Sequence, residues 1–166
     1  NMSRSKEETE YISTLLDNSI KQHLDDLLAN DVKFRVIGDL SHLPDSIRET
    51  VQHAEQVTSR FHKYKLNIAY NYGGQWDIVN SIKTMLEKKI EITTSNISKY
   101  LATGLDYPDL IVRTGGYKRL SNFMLWQAAY SELIFLETLW PDFTKEHMRD
   151  IFFDYKLIKR KFGKVD

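Results

Sequence analysis

Segments typical of strands alternate with segments typical of helices along the whole chain, and this order constrains the fold more than any other feature. The pattern predicts, in order, a helix over residues 6–29, a strand over 32–37, a helix over 44–62, a strand over 66–72, helices over 77–89 and 93–101, a strand over 109–112, a helix over 121–130, a strand over 133–136 and a last helix from 144 to about 163. Such alternation is typical of a parallel sheet flanked by helices on both faces. We therefore predict an α/β fold with one domain over residues 1–166.

Two glycine-rich turns fall where predicted strands end. Gly73-Gly74 follows one strand, and the segment from Arg113 to Gly116 follows another. Parallel sheets bind their ligands beyond the carboxyl ends of their strands. The sequence therefore predicts a ligand site at these turns.

The residues after the third predicted strand suit an anion with two phosphate groups. Arg113 and Arg119 can each grip phosphate oxygens with a guanidinium fork. The glycine pair between them permits a close approach of backbone, and a helix beginning at Ser121 would point its amides at the anion. Glu132 could hold a divalent cation that bridges the phosphates. We therefore predict a diphosphate site here.

Simpler interpretations exist for each part of this segment. Arginine pairs are usually solvated surface charges, and a Ser-Asn pair before an apolar run is usually a helix cap. Trp126 and Trp140 are expected to pack in a core. The combination is harder to explain in this way than its parts.

Composition narrows the class of protein. The chain has 166 residues, a formal net charge of zero and no cysteine. Disulfide scaffolding and thiolate chemistry are thus excluded, and binding to nucleic acid is not favoured. No apolar run reaches the roughly 20 residues of a membrane-spanning helix. We expect a cytoplasmic protein that meets membranes only peripherally and transiently.

The motifs resemble those of a known family. The segment Arg113-Thr114-Gly115-Gly116 is followed by Arg119, Ser121-Asn122-Phe123, Trp126-Gln127, Tyr130, Glu132 and Trp140-Pro141. Together with the blocks at residues 35–39 and 67–79, this order and spacing resemble the cis-prenyltransferases, the undecaprenyl diphosphate synthase family.

The resemblance implies a function and a set of residue roles. Members of that family condense isopentenyl diphosphate with an allylic diphosphate, such as farnesyl diphosphate or a longer one, and use Mg²⁺. By motif, Arg113, Arg119 and Ser121 would hold isopentenyl diphosphate, and Glu132 would help to bind Mg²⁺. Asn1 and Arg4 match a segment that contacts diphosphate.

The family also forms homodimers, and the region from Phe123 to Trp140 would be the interface. Its aromatic enrichment is what the centres of interfaces show.

One family motif has no counterpart here. The family begins with a strand leading to Asp-Gly-Asn-x-Arg, which supplies a catalytic aspartate, and no such segment occurs in the chain. We therefore expect that the chain lacks the N-terminal third of the family's domain, assign no catalytic residue, and expect residues 1–166 to be inactive alone.

Two rival hypotheses remain open at this point. The chain could be a non-catalytic partner subunit of a cis-prenyltransferase dimer, although it retains the phosphate-binding set. A generic nucleotide-binding module is the other, but no G-x-G-x-x-G or P-loop pattern is present.

Overall fold

Helices and strands alternate in the structure largely as the sequence predicts. The computed structural model describes residues 5–160. Its elements are α1 (Lys6–Ala29), β1 (Val32–Ile37), α2 (Asp45–Thr58), β2 (Tyr64–Ala69), α3 (Gly74–Glu87), α4 (Thr94–Tyr100), β3 (Leu110–Arg113), a 3₁₀ helix (Gln127–Tyr130), β4 (Glu132–Phe135), a second 3₁₀ helix (Trp140–Asp142) and α5 (Lys145–Leu157). They fall into two compact units, one up to Asp77 and the other from Ile78 onwards.

The first unit is built on β1 and β2, which pair in parallel. Val32 lies opposite Tyr64, and Ile37 lies opposite Ala69. Helices α1 and α2 pack on each other and on β1. The buried residues of this core are Ile20, Phe34, Val36, Leu43, Ile47, Val51, Ala54 and Tyr70.

Side chains of α2 bind the backbone of β1 on the side away from β2. Thr58 Oγ1 accepts a hydrogen bond from the Phe34 amide at 3.1 Å and donates to Ala54 O at 2.7 Å. Glu55 Oε1 accepts from the Val36 amide at 2.8 Å. These buried or half-buried amides are thereby satisfied without a neighbouring strand.

Gly38 occupies a position that only glycine can fill. Its φ is +121°, and a Cβ atom built there would lie 2.0 Å from the carbonyl oxygen of Tyr70. The Tyr70 amide in turn donates to Ile37 O at 2.9 Å. The close approach of the two backbones just beyond β1 and β2 therefore depends on the missing side chain.

The second unit is built on β3 and β4, which are also parallel. Leu110 pairs with Glu132, and Arg113 pairs with Phe135. A separate small core contains Met85, Ile97 and Leu101, with Trp126 packed against it. Trp126 Nε1 donates to Ser98 Oγ at 3.1 Å, so its position as a core residue is confirmed.

The predicted α/β class, with parallel strands and flanking helices, is confirmed. That residues 1–166 form one cis-prenyltransferase-like domain stays a prediction.

The prediction of a helix over residues 121–130 is wrong. Ser121, Asn122 and Met124 have φ values of +48°, +64° and +47°, which no right-handed helix contains. Only the 3₁₀ helix at Gln127–Tyr130 is helical in this segment. The buried Gln127 donates to Thr103 Oγ1 at 3.3 Å, so tertiary contacts govern this segment more than local periodicity does.

Two smaller corrections concern the C-terminal part. The last helix ends at Leu157 and not near residue 163, because residues 158–160 leave the helix. Trp140 was expected in a core, yet it is 73% exposed and stacks on Phe143.

The geometry at Gly38 yields a stability test. Gly38→Ala should cost about 3 kcal/mol or more, since backbone strain and overpacking against a carbonyl act together. Gly104→Ala is the matched control, because Gly104 also has a positive φ of +62° but its added Cβ would meet nothing closer than 3.9 Å. That control should lose only about 1 kcal/mol. Urea unfolding followed by circular dichroism measures both, and equal losses would contradict the close approach.

Candidate diphosphate-binding site

Arg113 closes a loop at the carboxyl end of β3. Its Nη1 atom donates to Ser121 Oγ at 2.8 Å and also to the carbonyl oxygen of Arg119. Arg113 is half-buried, whereas Arg119 and Ser121 are exposed. The structure thus brings together the three residues that the sequence assigned to one diphosphate.

The Gly115-Gly116 turn anchors this loop, because the amides of both glycines donate hydrogen bonds within the chain. Both glycines have positive φ, +88° and +78°. The Gly115 amide donates to Thr138 O at 2.9 Å, and the Gly116 amide donates to Leu136 O at 2.8 Å. Both amides are therefore already bound by the segment after β4.

The expectation of a helix N-terminus at Ser121 is wrong, since no helix begins there. The positive charges that the structure places at the site belong to the side chains of Arg113 and Arg119. Arg119 carries the more accessible charge, and within residues 5–160 no acceptor binds its guanidinium. A small cavity of about 180 Å³ lies beside both arginines, walled by Ile111, Val112, Leu120 and Phe123.

Two residues near the arginines were not singled out from the sequence. The ring of Tyr117 lies against both guanidiniums, with Cζ of Arg119 4.1 Å and Cζ of Arg113 5.8 Å from its centroid. The Glu137 carboxylate lies over Gly116, where an added Cβ would be 2.7 Å from Glu137 Oε2. The position of Glu137 follows from register, because residues after Phe135 run beside those after Arg113. No sequence signal marked Tyr117.

Glu132 lies at the other end of the β3–β4 pair. It is opposite Leu110, three residues before the partner of Arg113, and this places their backbones about 10 Å apart along the strands. Glu132 Oε1 is 4.0 Å from Nε of Arg160. Within this chain, Glu132 is therefore not part of the loop that holds Arg113 and Arg119.

Arg160 ties the residues after α5 to the start of β3. It donates to the Asp109 carboxylate, to the Tyr130 carbonyl at 2.9 Å and to the Tyr155 hydroxyl at 3.2 Å. The hydrogen bond to Asp109 is the main reason why the pKa of the Arg160 guanidinium lies above its ordinary value. Arg160 also lines a mainly apolar cavity of about 670 Å³ with Trp126 and Tyr130.

A divalent cation would find few protein ligands here. Between residues 5 and 160, no three Asp, Glu or His side chains converge in a way that could hold a metal ion. Glu132 alone would suit Mg²⁺ only if substrate phosphates or water supplied the other oxygens, which is how Mg²⁺ is usually bound at phosphate sites. Asn1 and Arg4, the remaining predicted contacts, lie outside the described residues.

Comparison with known proteins decides the family. A family profile described as "Putative undecaprenyl diphosphate synthase" matches residues 1–163. The chain belongs to this family. It is therefore a prenyltransferase, as the motif resemblance implied.

Individual relatives agree with this assignment. An isoprenyl transferase of Campylobacter jejuni strain RM1221 is 39% identical over 164 residues, which are 99% of this chain and 73% of the relative. The crystal structure of a probable undecaprenyl diphosphate synthase from C. jejuni superposes with a TM-score of 0.91 at 38% identity, covering 99% of this chain and 78% of that one.

A second solved structure shares the fold. Lavandulyl diphosphate synthase from Lavandula x intermedia, solved with dimethylallyl diphosphate, has a TM-score of 0.90 at 30% identity, covering 99% of this chain and 75% of that one. Among the described helices of the present chain, none has the length and apolarity needed to cross a bilayer.

The Arg160 cluster predicts a local stability effect. Arg160→Met removes hydrogen bonds to Asp109, Tyr130 and Tyr155 together, so the melting temperature should fall measurably. Arg149→Met is the control, because Arg149 is exposed on α5 and should change stability little. Differential scanning calorimetry compares the two. Equal melting temperatures would mean that Arg160 does not hold the residues after α5 in solution.

Proposed function

We propose that the chain condenses isopentenyl diphosphate with an allylic diphosphate, farnesyl diphosphate or longer, to give a cis-polyprenyl diphosphate. The observation that carries this proposal is the convergence of Arg113, Arg119 and Ser121 beyond the carboxyl end of β3. The lavandulyl diphosphate synthase structure supports it, since a protein of this fold was solved with an allylic diphosphate.

The three residues have complementary roles in this proposal. Arg119 presents its exposed guanidinium to one phosphate, and Arg113 presents the N–H groups that it does not donate to Ser121 and to the Arg119 carbonyl. Ser121 Oγ accepts from Arg113, so its own hydroxyl hydrogen remains to be donated to a phosphate oxygen. Asn1 and Arg4 are proposed as further diphosphate contacts on motif grounds.

Fixed positive charge is what this chemistry requires. A diphosphate carries several negative charges on adjacent oxygens, and two guanidiniums in a defined geometry hold and orient it. Orientation matters because the double bond of isopentenyl diphosphate must face the allylic carbon as its diphosphate leaves. The closed loop provides orientation, since Arg113 is held in place before any substrate arrives.

Magnesium is proposed as the cofactor, and Glu132 as the residue that helps to hold it. When bound, the ion would neutralise charge on the diphosphate oxygens. The nearest cation to Glu132 in the described residues is Arg160, whose Nε lies 4.0 Å from Glu132 Oε1.

The apolar product suggests a place of action. We propose a cytoplasmic enzyme that touches the membrane peripherally and transiently as the polyprenyl chain grows.

A homodimer is proposed through the region from Phe123 to Trp140. Large apolar side chains there are exposed in the second unit, including Tyr130 at 67% and Trp140 at 73%. A second copy of the chain would cover these side chains, and aromatic residues are enriched at such interfaces.

The arginine assignment is tested by enzyme kinetics. Arg113→Ala and Arg119→Ala should each raise KM for isopentenyl diphosphate by roughly tenfold to a hundredfold, because a charge-assisted contact of about 1.5–3 kcal/mol is lost. Arg60→Ala is the matched control, since Arg60 is also exposed and lies over an aromatic ring, that of Phe61. Unchanged kinetics in both site variants would refute the assignment.

The magnesium assignment is tested by titration with the metal. Glu132→Gln should raise the Mg²⁺ concentration needed for half-maximal rate, because an amide is a weaker ligand than a carboxylate. Glu49→Gln is the control, because Glu49 is exposed on α2, and it should leave that Mg²⁺ concentration unchanged. Glu137→Gln is an informative third variant. If it alone shifts the Mg²⁺ requirement, the carboxylate beside Gly116 is the metal ligand and Glu132 is not.

The dimer is tested by light scattering at micromolar concentration, which should give twice the chain mass. Trp140→Asp should shift the mass towards the monomer, since a charge is costly in an apolar interface. Tyr11→Asp is the control, because Tyr11 is comparably exposed, at 68%, but lies in the first unit. A monomeric wild-type chain would contradict the proposed interface.

A further inference from the structure

The aromatic ring of Tyr117 lies against both arginines of the candidate site. The Cζ atoms of Arg119 and Arg113 are 4.1 Å and 5.8 Å from its centroid. Because both distances are measured to one ring, the two guanidinium centres can be no further apart than their sum. One side chain therefore keeps two like charges in the same neighbourhood.

We propose that Tyr117 is a positioning residue for the diphosphate, whose ring holds both guanidiniums and leaves their N–H edges available to phosphate oxygens. This inference rests on the proposed function of Arg113 and Arg119.

The geometry of a guanidinium explains how both contacts coexist. An aromatic ring attracts the cation through its negatively charged face. Hydrogen bonds to phosphate use the N–H groups, which lie in the plane of the guanidinium. A ring can therefore fix an arginine without using up the donors that a ligand needs, whereas a carboxylate partner would compete with the phosphate.

The ring also offsets the repulsion between the two arginines. Without a ligand, two nearby positive charges favour orientations that separate them. Attraction of both to one ring favours the gathered arrangement before the diphosphate binds. Binding then costs less conformational entropy, because fewer rotamers have to be lost.

Core packing does not account for Tyr117. The side chain is 56% exposed. In the part of the chain that the structure describes, its hydroxyl has no hydrogen-bond partner. The ring, and not the hydroxyl, is therefore the part that makes the contacts.

The experiment measures binding of inorganic diphosphate to the full chain by isothermal titration calorimetry, without divalent cations. Tyr117→Leu should weaken binding about fivefold, or ~1 kcal/mol, since the cation–π contacts are lost. Tyr117→Phe should bind within twofold of wild type because the ring is retained. Tyr117→Trp should bind at least as tightly as wild type, since indole is the strongest partner of a cation.

A matched control separates this effect from loss of any surface tyrosine. Tyr64 is 54% exposed and lies under the cation of Lys63, at 5.0 Å, but it belongs to β2 in the first unit. Tyr64→Leu should leave diphosphate affinity unchanged. Circular dichroism melting curves check that each variant is folded. Tyr117→Phe and Tyr117→Trp still test the proposal if Tyr117→Leu does not fold.

The outcomes distinguish this inference from the function on which it rests. If Arg119→Ala weakens binding tenfold or more while Tyr117→Leu binds like wild type, the arginine site stands and the positioning role is overturned. If Tyr117→Phe or Tyr117→Trp weakens binding as much as Tyr117→Leu, ring attraction is not the cause and the proposal is also overturned. If Arg113→Ala and Arg119→Ala both bind like wild type, the site assignment itself fails. A double variant, Arg119→Ala with Tyr117→Leu, should lose less from the tyrosine change than the single variant does.

Discussion

Backbone pairing between the residues after β3 and those after β4 underlies the candidate site. The strands end at Arg113 and Phe135, but the hydrogen bonds continue from the Leu136 amide to Arg113 O and from the two glycine amides to Leu136 and Thr138. This continuation requires positive φ at both glycines. It fixes where the loop starts, and the hydrogen bonds of Arg113 to Ser121 and Arg119 fix where it returns. Arg113 and Arg119 are thus presented by a loop that is anchored at both ends, and such anchoring allows a flexible side chain to keep a defined position.

Much of the fold could be predicted because local signals agree with it. Helix α1 and strand β1 have the predicted bounds, since Ser5 caps the helix and alternating apolar and polar residues mark the strand. The segment from Ser121 to Tyr130 was mispredicted for a physical reason. Its apolar residues are spaced like those of a helix, but Trp126 and Gln127 are fixed by Ser98 and Thr103, partners more than 20 residues away in sequence. A pattern confined to one segment cannot report such contacts.

Some features of the candidate site could likewise be predicted from the sequence, and others could not. Motif spacing predicts that Arg113, Arg119 and Ser121 lie at one strand end, and the structure brings them together there. The separation of Glu132 from them follows only from the parallel register, which the sequence does not specify by itself. Tyr117 could not have been identified at all, since an exposed tyrosine in a loop is ordinary until its neighbours are known.

The contacts of Thr58 and Glu55 with β1 have a consequence beyond satisfying two amides. An unpaired strand edge is a template on which a strand of another molecule can dock, and this is a common route to aggregation. Here the Phe34 and Val36 amides are already bound to side chains of the same chain. An incoming strand would have to displace both before it could form its first hydrogen bonds. Two polar residues of α2 thereby occupy the amides that a docking strand would need along this edge of β1.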